Sequence, residues 1–197
     1  MSSYTRQQLE SWLKTIDVSG KVIDIGGSQN PIKGRTKSWD VDDYKILDLE
    51  EPHECKQKPD YTADLNYDFV EEYPNVVVDA GDSDIAFCLE VSEYWWNPVQ
   101  ALKNIALLLK QGGVLYISFH FVYPVHNPII YDYIRYTENG VMKMLIKAGF
   151  DIETITPREM TDGQAGWDMF VVEEKMRPAK EYTGHSSIGC LIKAIKT

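Results

Sequence analysis

Residues 21–30 read Lys-Val-Ile-Asp-Ile-Gly-Gly-Ser-Gln-Asn. The β-branched residues form a short apolar run between Gly20 and the pair Gly26-Gly27, which predicts a strand buried on both faces of a parallel sheet. The glycines let the backbone turn sharply and leave room for a ligand beside the main chain. Asp24 lies inside this strand, where a carboxylate without a partner would be costly. The stretch therefore predicts a polar ligand, or a set of backbone donors, beyond the strand end.

The segment from Asp24 to Ser28 resembles the first motif of class I S-adenosylmethionine-dependent methyltransferases, an acid followed by a Gly-x-Gly-x-Gly loop. Gly26 stands at the first glycine position, but Ser28 and Asn30 stand at the second and third. A nicotinamide-type Gly-x-Gly-x-x-Gly loop would need glycine at positions 28 and 31. An ordinary strand-to-helix turn is the alternative. The resemblance implies that four residues of this loop hold the cofactor S-adenosyl-L-methionine: Asp24, Gly26, Gly27 and Ser28.

Composition and charge narrow the class of protein. The chain has 197 residues, 44% hydrophobic and 25% charged, which is typical of one soluble globular domain. No apolar run approaches the roughly 20 residues that span a bilayer, and the polar N-terminus is unlike a signal peptide, so we expect a cytoplasmic protein. A net charge of −10 disfavours a nucleic-acid partner. Three widely spaced cysteines indicate neither a disulfide framework nor a zinc site.

Two later acids extend the resemblance. Residues 44–48 read as a second strand that ends on Asp48, and such an acid accepts hydrogen bonds from a cofactor ribose. Asp42 and Glu50 are the fallbacks, and a solvated acidic loop is the alternative. Residues 61–66 resemble the family's third strand and its Ala-Asp-Leu motif, which implies that Asp64 and Leu65 contact the adenine.

The most specific match follows the fourth strand. Residues 84–91 are the most hydrophobic strand candidate, and Glu90 near their end is a further cofactor candidate. Pro98 suits the first turn of a helix, which Gly112-Gly113 would close with a left-handed cap. The run Leu-Leu-Lys-Gln-Gly-Gly-Val-Leu-Tyr-Ile-Ser, with a fifth strand over 114–118, resembles the family's Leu-Lys-Pro-Gly-Gly-x-Leu signature.

The order of these segments predicts an α/β fold. The resemblance implies a Rossmann-like doubly wound sheet, mostly parallel with an antiparallel last strand, and with helices on both faces. We expect a single methyltransferase domain over 1–197: an N-terminal helix in 1–19, a core over 20–155, and an extra loop, helix and last strand over 156–197. Residues 31–39 have few apolar side chains and predict an irregular loop where the family has its first helix.

Residues 119–136 form a long aromatic loop after the fifth strand, and long loops in compact domains are usually functional. This loop resembles the substrate loop of type-11 methyltransferases, whose Asp-x-x-Arg-Tyr-Thr run here begins at Asp132. Arg135 is a candidate clamp for an anionic substrate group, and a salt bridge within the loop is the alternative. Aromatic residues in and near the loop are candidate stacking surfaces, although such residues are more often core: Tyr94, Trp95, Tyr123 and Tyr133.

Transfer to a hydroxyl acceptor needs alignment and a base. His120 and His126 are the candidate bases, because histidine is the usual proton acceptor near neutral pH. Packing roles for both histidines are the alternative, and Asp132 would then be the next candidate. No spacing of Asp, Glu, His or Cys indicates a metal site, so we expect metal-free catalysis.

The favoured function is therefore O-methylation of a small molecule or a sugar/glycan hydroxyl. Methylation of a protein or another nitrogen acceptor is the second hypothesis. A non-catalytic nucleotide-binding protein or a nicotinamide enzyme on a similar sheet is the third. The sequence does not decide the oligomeric state, and a homodimer is compatible with it; no membrane partner is expected.

Overall fold

The computed structural model describes residues 3–125, 127–159 and 187–197. Its centre is a seven-stranded sheet of order β3-β2-β1-β4-β5-β7-β6, in which only β7 runs antiparallel to its neighbours β5 and β6. The strands are β1 (Asp17–Ile25), β2 (Ser38–Asp48), β3 (Tyr61–Thr62), β4 (Ser83–Cys88), β5 (Leu109–His120), β6 (Phe150–Glu159) and β7 (Ser187–Lys196). The expected fold class, with its antiparallel last strand, is confirmed.

Five helices flank this sheet in the described chain: α1 (Tyr4–Leu13), α2 (Phe69–Glu72), α3 (Pro74–Ala80), α4 (Pro98–Leu108) and α5 (Glu138–Lys147). The larger of the two cores packs the helices α2, α3, α4 and α5 against one face of the sheet. The other core joins α1 to the opposite face, where Leu9 and Leu13 pack with Val22, Ile32 and Phe87. The helices therefore lie on both faces, as expected.

The connection from β1 to β2 contains no helix in residues 26–37, as the shortage of apolar residues predicted. A single side chain, the fully buried Ile32, fills the place against the sheet. The loop is tied to α1, since the Arg35 guanidinium donates to Glu10 at 2.7 Å. The helix α1 and this loop thus cover one face of the sheet together.

Several element boundaries differ from expectation. The strand β2 begins at Ser38 rather than 44, β4 ends at Cys88 rather than 91, and β5 spans Leu109–His120 rather than 114–118. The strand β3 ends at Thr62 rather than 66, because the Asp64 carboxylate accepts the Asn66 N–H at 2.9 Å and so forms a turn that competes with the strand. The helix α4 ends at Leu108 and β5 begins at Leu109. Gly112, with φ +75°, lies in the irregular start of β5 and does not cap the helix.

Some expectations concern parts of the chain outside this description. Most of the segment 156–197, for which an extra loop, a helix and a last strand were expected, is residues 160–186, outside the described residues. His126 is outside them too. Within the described residues, no helix is long and apolar enough to cross a bilayer.

Because α1 supplies apolar side chains to a face with little other cover, Leu9→Ala should destabilise the whole fold. The buried leucine leaves a cavity on truncation, so we expect the free energy of unfolding to fall by about 2–5 kcal/mol in urea titrations. Val78→Ala is the control, because it removes an apolar side chain that is 81% exposed on α3. It should change the free energy of unfolding by less than about 0.5 kcal/mol. Equal midpoints for both variants would show that α1 is not part of the cooperative unit.

Candidate functional site

The carboxyl ends of four adjacent strands meet at one edge of the sheet. Ile25, the last residue of β1, is in register with Leu47 on one side and Cys88 on the other. Asp48, at the end of β2, is in register with Thr62 of β3. The structure thus brings the expected cofactor residues from four separate segments to one edge, where α/β sheets bind ligands.

Asp24 is buried and holds the loop after β1. Its Oδ2 accepts the backbone N–H of Ile32 at 2.7 Å and the hydroxyl of Tyr44 at 2.6 Å. The sequence left a polar ligand or a set of backbone donors as alternatives. The structure supplies one backbone donor beyond the strand end, at Ile32, and a side-chain donor, Tyr44. Burial raises the pKa of Asp24 to about 6, although these hydrogen bonds and the charge of Arg35 oppose the shift.

Gly26 and Gly27 are required by the path of the backbone. Gly26 has φ +76°, and a Cβ there would lie 2.4 Å from Cγ2 of Val91, the residue after Glu90. A Cβ on Gly27 would lie 2.5 Å from the Asp24 carboxylate. The loop therefore carries no side chain at the two positions where it leaves β1, next to Val91 and Asp24.

Ser28 joins this loop to β2. Its N–H donates to Asp48 Oδ2 at 3.1 Å, and its carbonyl accepts the N–H groups of Lys56 and Gln57. Its hydroxyl oxygen is buried and has no hydrogen-bond partner among the described residues. Asp48 also accepts the N–H of Leu49 at 2.9 Å, which leaves lone pairs on both oxygens for a ligand.

Asp64 and Leu65 follow β3 in a turn that is fixed by a buried asparagine. Asn66 donates to Asp64 Oδ1 through both its N–H and its side-chain amide, each at 2.9 Å. The Asn66 Oδ1 accepts the N–H groups of Trp96 and Asn97 at 2.9 and 3.1 Å. Sequence reasoning missed Asn66, since an asparagine beside a predicted strand carries no distinctive signal.

Glu90 and His120 belong to a cluster of four charged or titratable side chains. The Glu90 carboxylate lies 2.7 Å from the Arg158 guanidinium and 3.2 Å from His120 Nε2. Glu93 Oε1 lies 3.7 Å from the same nitrogen. His120, Glu93 and Arg158 are 1–2% exposed, so this cluster is among the most polar parts of the interior.

The cluster depends on strands that are distant in sequence. His120 ends β5 and Arg158 lies near the end of β6, and both are in register with Gly189 of β7. Residues in register on neighbouring strands share a face of the sheet, so His120 and Arg158 lie on the same face. Gly189, on the strand between them, places no side chain there. The sequence assigned no role to Arg158 or Glu93. Arg158 reaches the cluster only through the register of β6 with β7.

Glu90 is held in an unusual conformation. Its φ of +59° lies in the left-handed region, which residues other than glycine seldom adopt. The Ser118 hydroxyl accepts its N–H at 2.7 Å and donates to its carboxylate at 2.8 Å. Burial alone would raise the pKa of Glu90, but hydrogen bonding and the charges of His120 and Arg158 hold that pKa well below its usual range.

The loop after β5 is fastened by Arg135. Its guanidinium forms a bidentate ion pair with Asp132 and donates to the carbonyls of Tyr123 and Pro124 at 3.3 and 3.2 Å. This is the geometry of the alternative weighed for Arg135, a salt bridge within the loop. The N–H of Tyr133 donates to the carbonyl of Glu93 at 2.9 Å, which fixes the loop against the buried cluster.

The aromatic candidates occupy different environments. Tyr123 packs on His120, with ring centroids 4.3 Å apart, and the Tyr94 hydroxyl donates to the carbonyl of Asn127 at 2.9 Å. Trp95 is buried in the main core, whereas Tyr133 is half exposed. The described side chains contain no group of three or more His, Cys, Asp and Glu arranged to hold a metal ion.

No protein-family model and no curated protein sequence matches the chain. Solved structures do match. An S-adenosylmethionine-dependent methyltransferase from Mesorhizobium loti superposes with a TM-score of 0.58 at 17% identity, over 99% of each chain. A chain of the complex between the Haloferax volcanii Trm112 methyltransferase activator and a methyltransferase gives 0.58 at 13% identity, over 98% of this chain and 89% of that one. The [4+2]-cyclase SpnF gives 0.56 at 14% identity, over 98% and 80%.

At these identities the likeness shows the fold. The predicted resemblance to class I methyltransferases is confirmed at that level, including the position of the antiparallel strand β7. A methyltransferase that acts on an oxygen, one that acts on carbon and a cyclase are all among the similar structures. Fold alone therefore does not select the reaction.

The buried Asp24 predicts an unusual pH dependence of stability. Its pKa of about 6 in the folded chain exceeds the value of about 3.9 in an unfolded chain, so the folded state binds more protons between these values. The free energy of unfolding should therefore lose about 2 kcal/mol from this group as the pH rises from 4 to 7. In Asp24→Asn this component is absent, so the variant should gain stability relative to the parent over that range.

Urea titrations at pH 4, 5.5 and 7 measure this difference. Asp40→Asn makes the same substitution at an exposed position of β2 and should alter the pH dependence by less than about 0.5 kcal/mol. Parallel curves for the parent and Asp24→Asn would contradict the assignment.

Proposed function

We propose that this chain is an S-adenosylmethionine-dependent methyltransferase. The observation that carries the proposal is the loop after β1, together with the acids around it. No helix begins within residues 26–37, so this loop offers no helix N-terminus to bind the diphosphate of a dinucleotide. The acids near this loop and the strand ends are instead Asp24, which is buried, and Asp48 and Asp64, which are partly exposed. Such an edge favours a cationic cofactor over an anionic one.

The residues present fit this cofactor. The turn at Gly26-Gly27 brings bare backbone to the strand ends, and the buried Ser28 hydroxyl has a hydrogen-bonding capacity that no described residue uses. Asp48 would accept the ribose hydroxyls, and Asp64 with Leu65 would hold the adenine. When bound, S-adenosylmethionine would supply a methyl group on a positively charged sulfur. The acceptor atom would attack the methyl carbon in line, and the sulfur would leave as a neutral thioether.

We propose that the acceptor is a hydroxyl group of a small molecule or sugar. The loop after β5 supports an uncharged acceptor, because Arg135 neutralises Asp132, the one acid among its described residues. Several apolar side chains of this loop are exposed to solvent, with Ile130 at 74%. They would pack against the acceptor: Phe121, Val125, Ile129, Ile130, Tyr131 and Tyr133.

His120 is the proposed base. It lies at the carboxyl end of β5, its Nε2 faces Glu90 and Glu93, and the Tyr123 ring covers it. The two carboxylates would orient the ring and stabilise the imidazolium that forms when a proton arrives from the acceptor. His126 remains the second candidate. Asp132 is third, because Arg135 already engages both of its carboxylate oxygens.

The chain should bind S-adenosylhomocysteine with one-to-one stoichiometry in calorimetry. Asp48→Ala removes a charged acceptor and the contact that closes the Ser28 loop, so we expect roughly 10- to 150-fold weaker binding. Glu50→Ala removes an exposed acid two residues away and should leave the affinity within about twofold, given that surface changes are usually near neutral. Failure of the parent chain to bind, or tight binding of NAD instead, would refute the proposed function.

Removing the base should lower kcat without weakening the binding of the cofactor. With an accepted hydroxyl substrate, His120→Gln or His126→Ala should lower kcat by roughly 10²- to 10⁴-fold, because the hydroxyl is a poor nucleophile without a proton acceptor. His120→Gln keeps a polar group beside Glu90, so S-adenosylhomocysteine affinity should barely change. His53→Ala, at an exposed histidine, is the matched control. Full activity in the single and double variants would assign both histidines to packing and leave Asp132, or no base, for the step.

A further inference from the structure

We infer that Asn66 is a positioning residue that orients the Asp64 carboxylate and thereby sets the preference for the purine base. This inference rests on the proposed function, since it assigns a role within the same cofactor site. It concerns a residue with no expected role, buried between the end of β3 and the segment before α4.

Asn66 restrains the carboxylate from one side. Two N–H donors of Asn66 meet Oδ1 of Asp64, each at 2.9 Å, and no other described residue bonds to Oδ2. The terminal torsion of an aspartate is otherwise broad and roughly two-fold, so a free carboxylate would rotate. The two donors therefore hold Oδ1 of Asp64 against Asn66 and leave Oδ2 available to a ligand.

The amide of Asn66 is itself immobilised. Its oxygen accepts two consecutive backbone N–H groups, those of Trp96 and Asn97, and its nitrogen also donates to the carbonyl of Tyr94 at 3.4 Å. All the hydrogen-bonding positions of the side-chain amide are used. The orientation of Asp64 is thus set by the segment 94–97, which also carries Tyr94 and Trp95, two of the stacking candidates from the sequence.

An ionised carboxylate can only accept hydrogen bonds. Held in one orientation, Asp64 pairs with the exocyclic amino group of an adenine and opposes the exocyclic oxygen of a 6-oxopurine. A site built to hydrogen-bond a donor group rejects an analogue that lacks it, because the polar group that the ligand covers is then left unpaired. Loosening the carboxylate lets it turn away, which weakens this rejection.

A second buried asparagine provides a matched control. Asn104, on α4, donates from its side-chain amide to the carbonyls of Leu65 and Tyr67 at 2.9 and 2.6 Å, and accepts the Phe69 N–H at 3.2 Å. It secures the same turn as Asn66 but does not touch Asp64. A general loosening of the turn should follow from either substitution, and loss of base preference only from Asn66→Ala.

The experiment compares the binding of S-adenosylhomocysteine and S-inosylhomocysteine by calorimetry. The parent chain should favour the adenine compound by roughly 10- to 150-fold, the range for a hydrogen bond to a charged group. Asn66→Ala should lower that ratio at least about fivefold, chiefly by weaker binding of the adenine compound. Asn104→Ala should lower the melting temperature while the ratio stays within about twofold of the parent value.

Asn66→Asp is the second variant, for use if Asn66→Ala does not fold. It keeps an acceptor for the N–H groups of Trp96 and Asn97 but faces Asp64 with a like charge. Its affinity for S-adenosylhomocysteine should recover as the pH falls, because two adjacent carboxylates then share a proton. An unchanged ratio in Asn66→Ala, an equal loss in Asn104→Ala, or parent-like affinity of Asn66→Asp at every pH would overturn the inference. Absence of S-adenosylhomocysteine binding by the parent chain would instead refute the proposed function on which the inference rests.

Discussion

The hydrogen bonds of the buried Asp24 carboxylate are the constraint on which the carboxyl edge depends. One oxygen joins three parts of the chain: the end of β1, the loop at Ile32 and the strand β2 at Tyr44. Ile32 is held by its N–H on one side and by the apolar core on the other, which replaces the packing that a helix would provide. The path of the loop then leaves no room for a side chain at Gly27, because the carboxylate occupies that space.

The partial glycine motif has a physical explanation in this loop. In dinucleotide-binding folds the first glycine makes a tight turn, the second admits a diphosphate and the third lets a helix pack closely on the strand. Gly26 retains the first role, as its φ of +76° and the nearby Val91 show. No helix follows, so nothing requires glycine at Asn30. The proposed cofactor has no diphosphate and would make no such demand at Ser28.

Much of the fold could be predicted because apolar runs, their order and the signature before β5 are local features of the sequence. The ends of β1 and β2 were placed for the same reason, and with them Asp24 and Asp48. The strand β4 ends at Cys88 rather than 91, so Glu90 lies beyond the strand. Arg158 could not be predicted, since it reaches Glu90 across strands whose register is decided by the whole sheet. Asn66 was missed because its role depends on backbone donors some 30 residues later in the chain.

The position of β7 has a consequence for how the chain reaches its native state. This strand pairs with β5 on one side and β6 on the other, and every one of those contacts with β5 joins distant parts of the sequence. Such non-local pairing is slow to form. Until it forms, the edge of β5 from Val114 to His120 presents unpaired backbone groups flanked by apolar side chains, a surface on which other chains associate. The sheet order therefore makes the concentration of the chain, as well as its sequence, a determinant of how much of it folds.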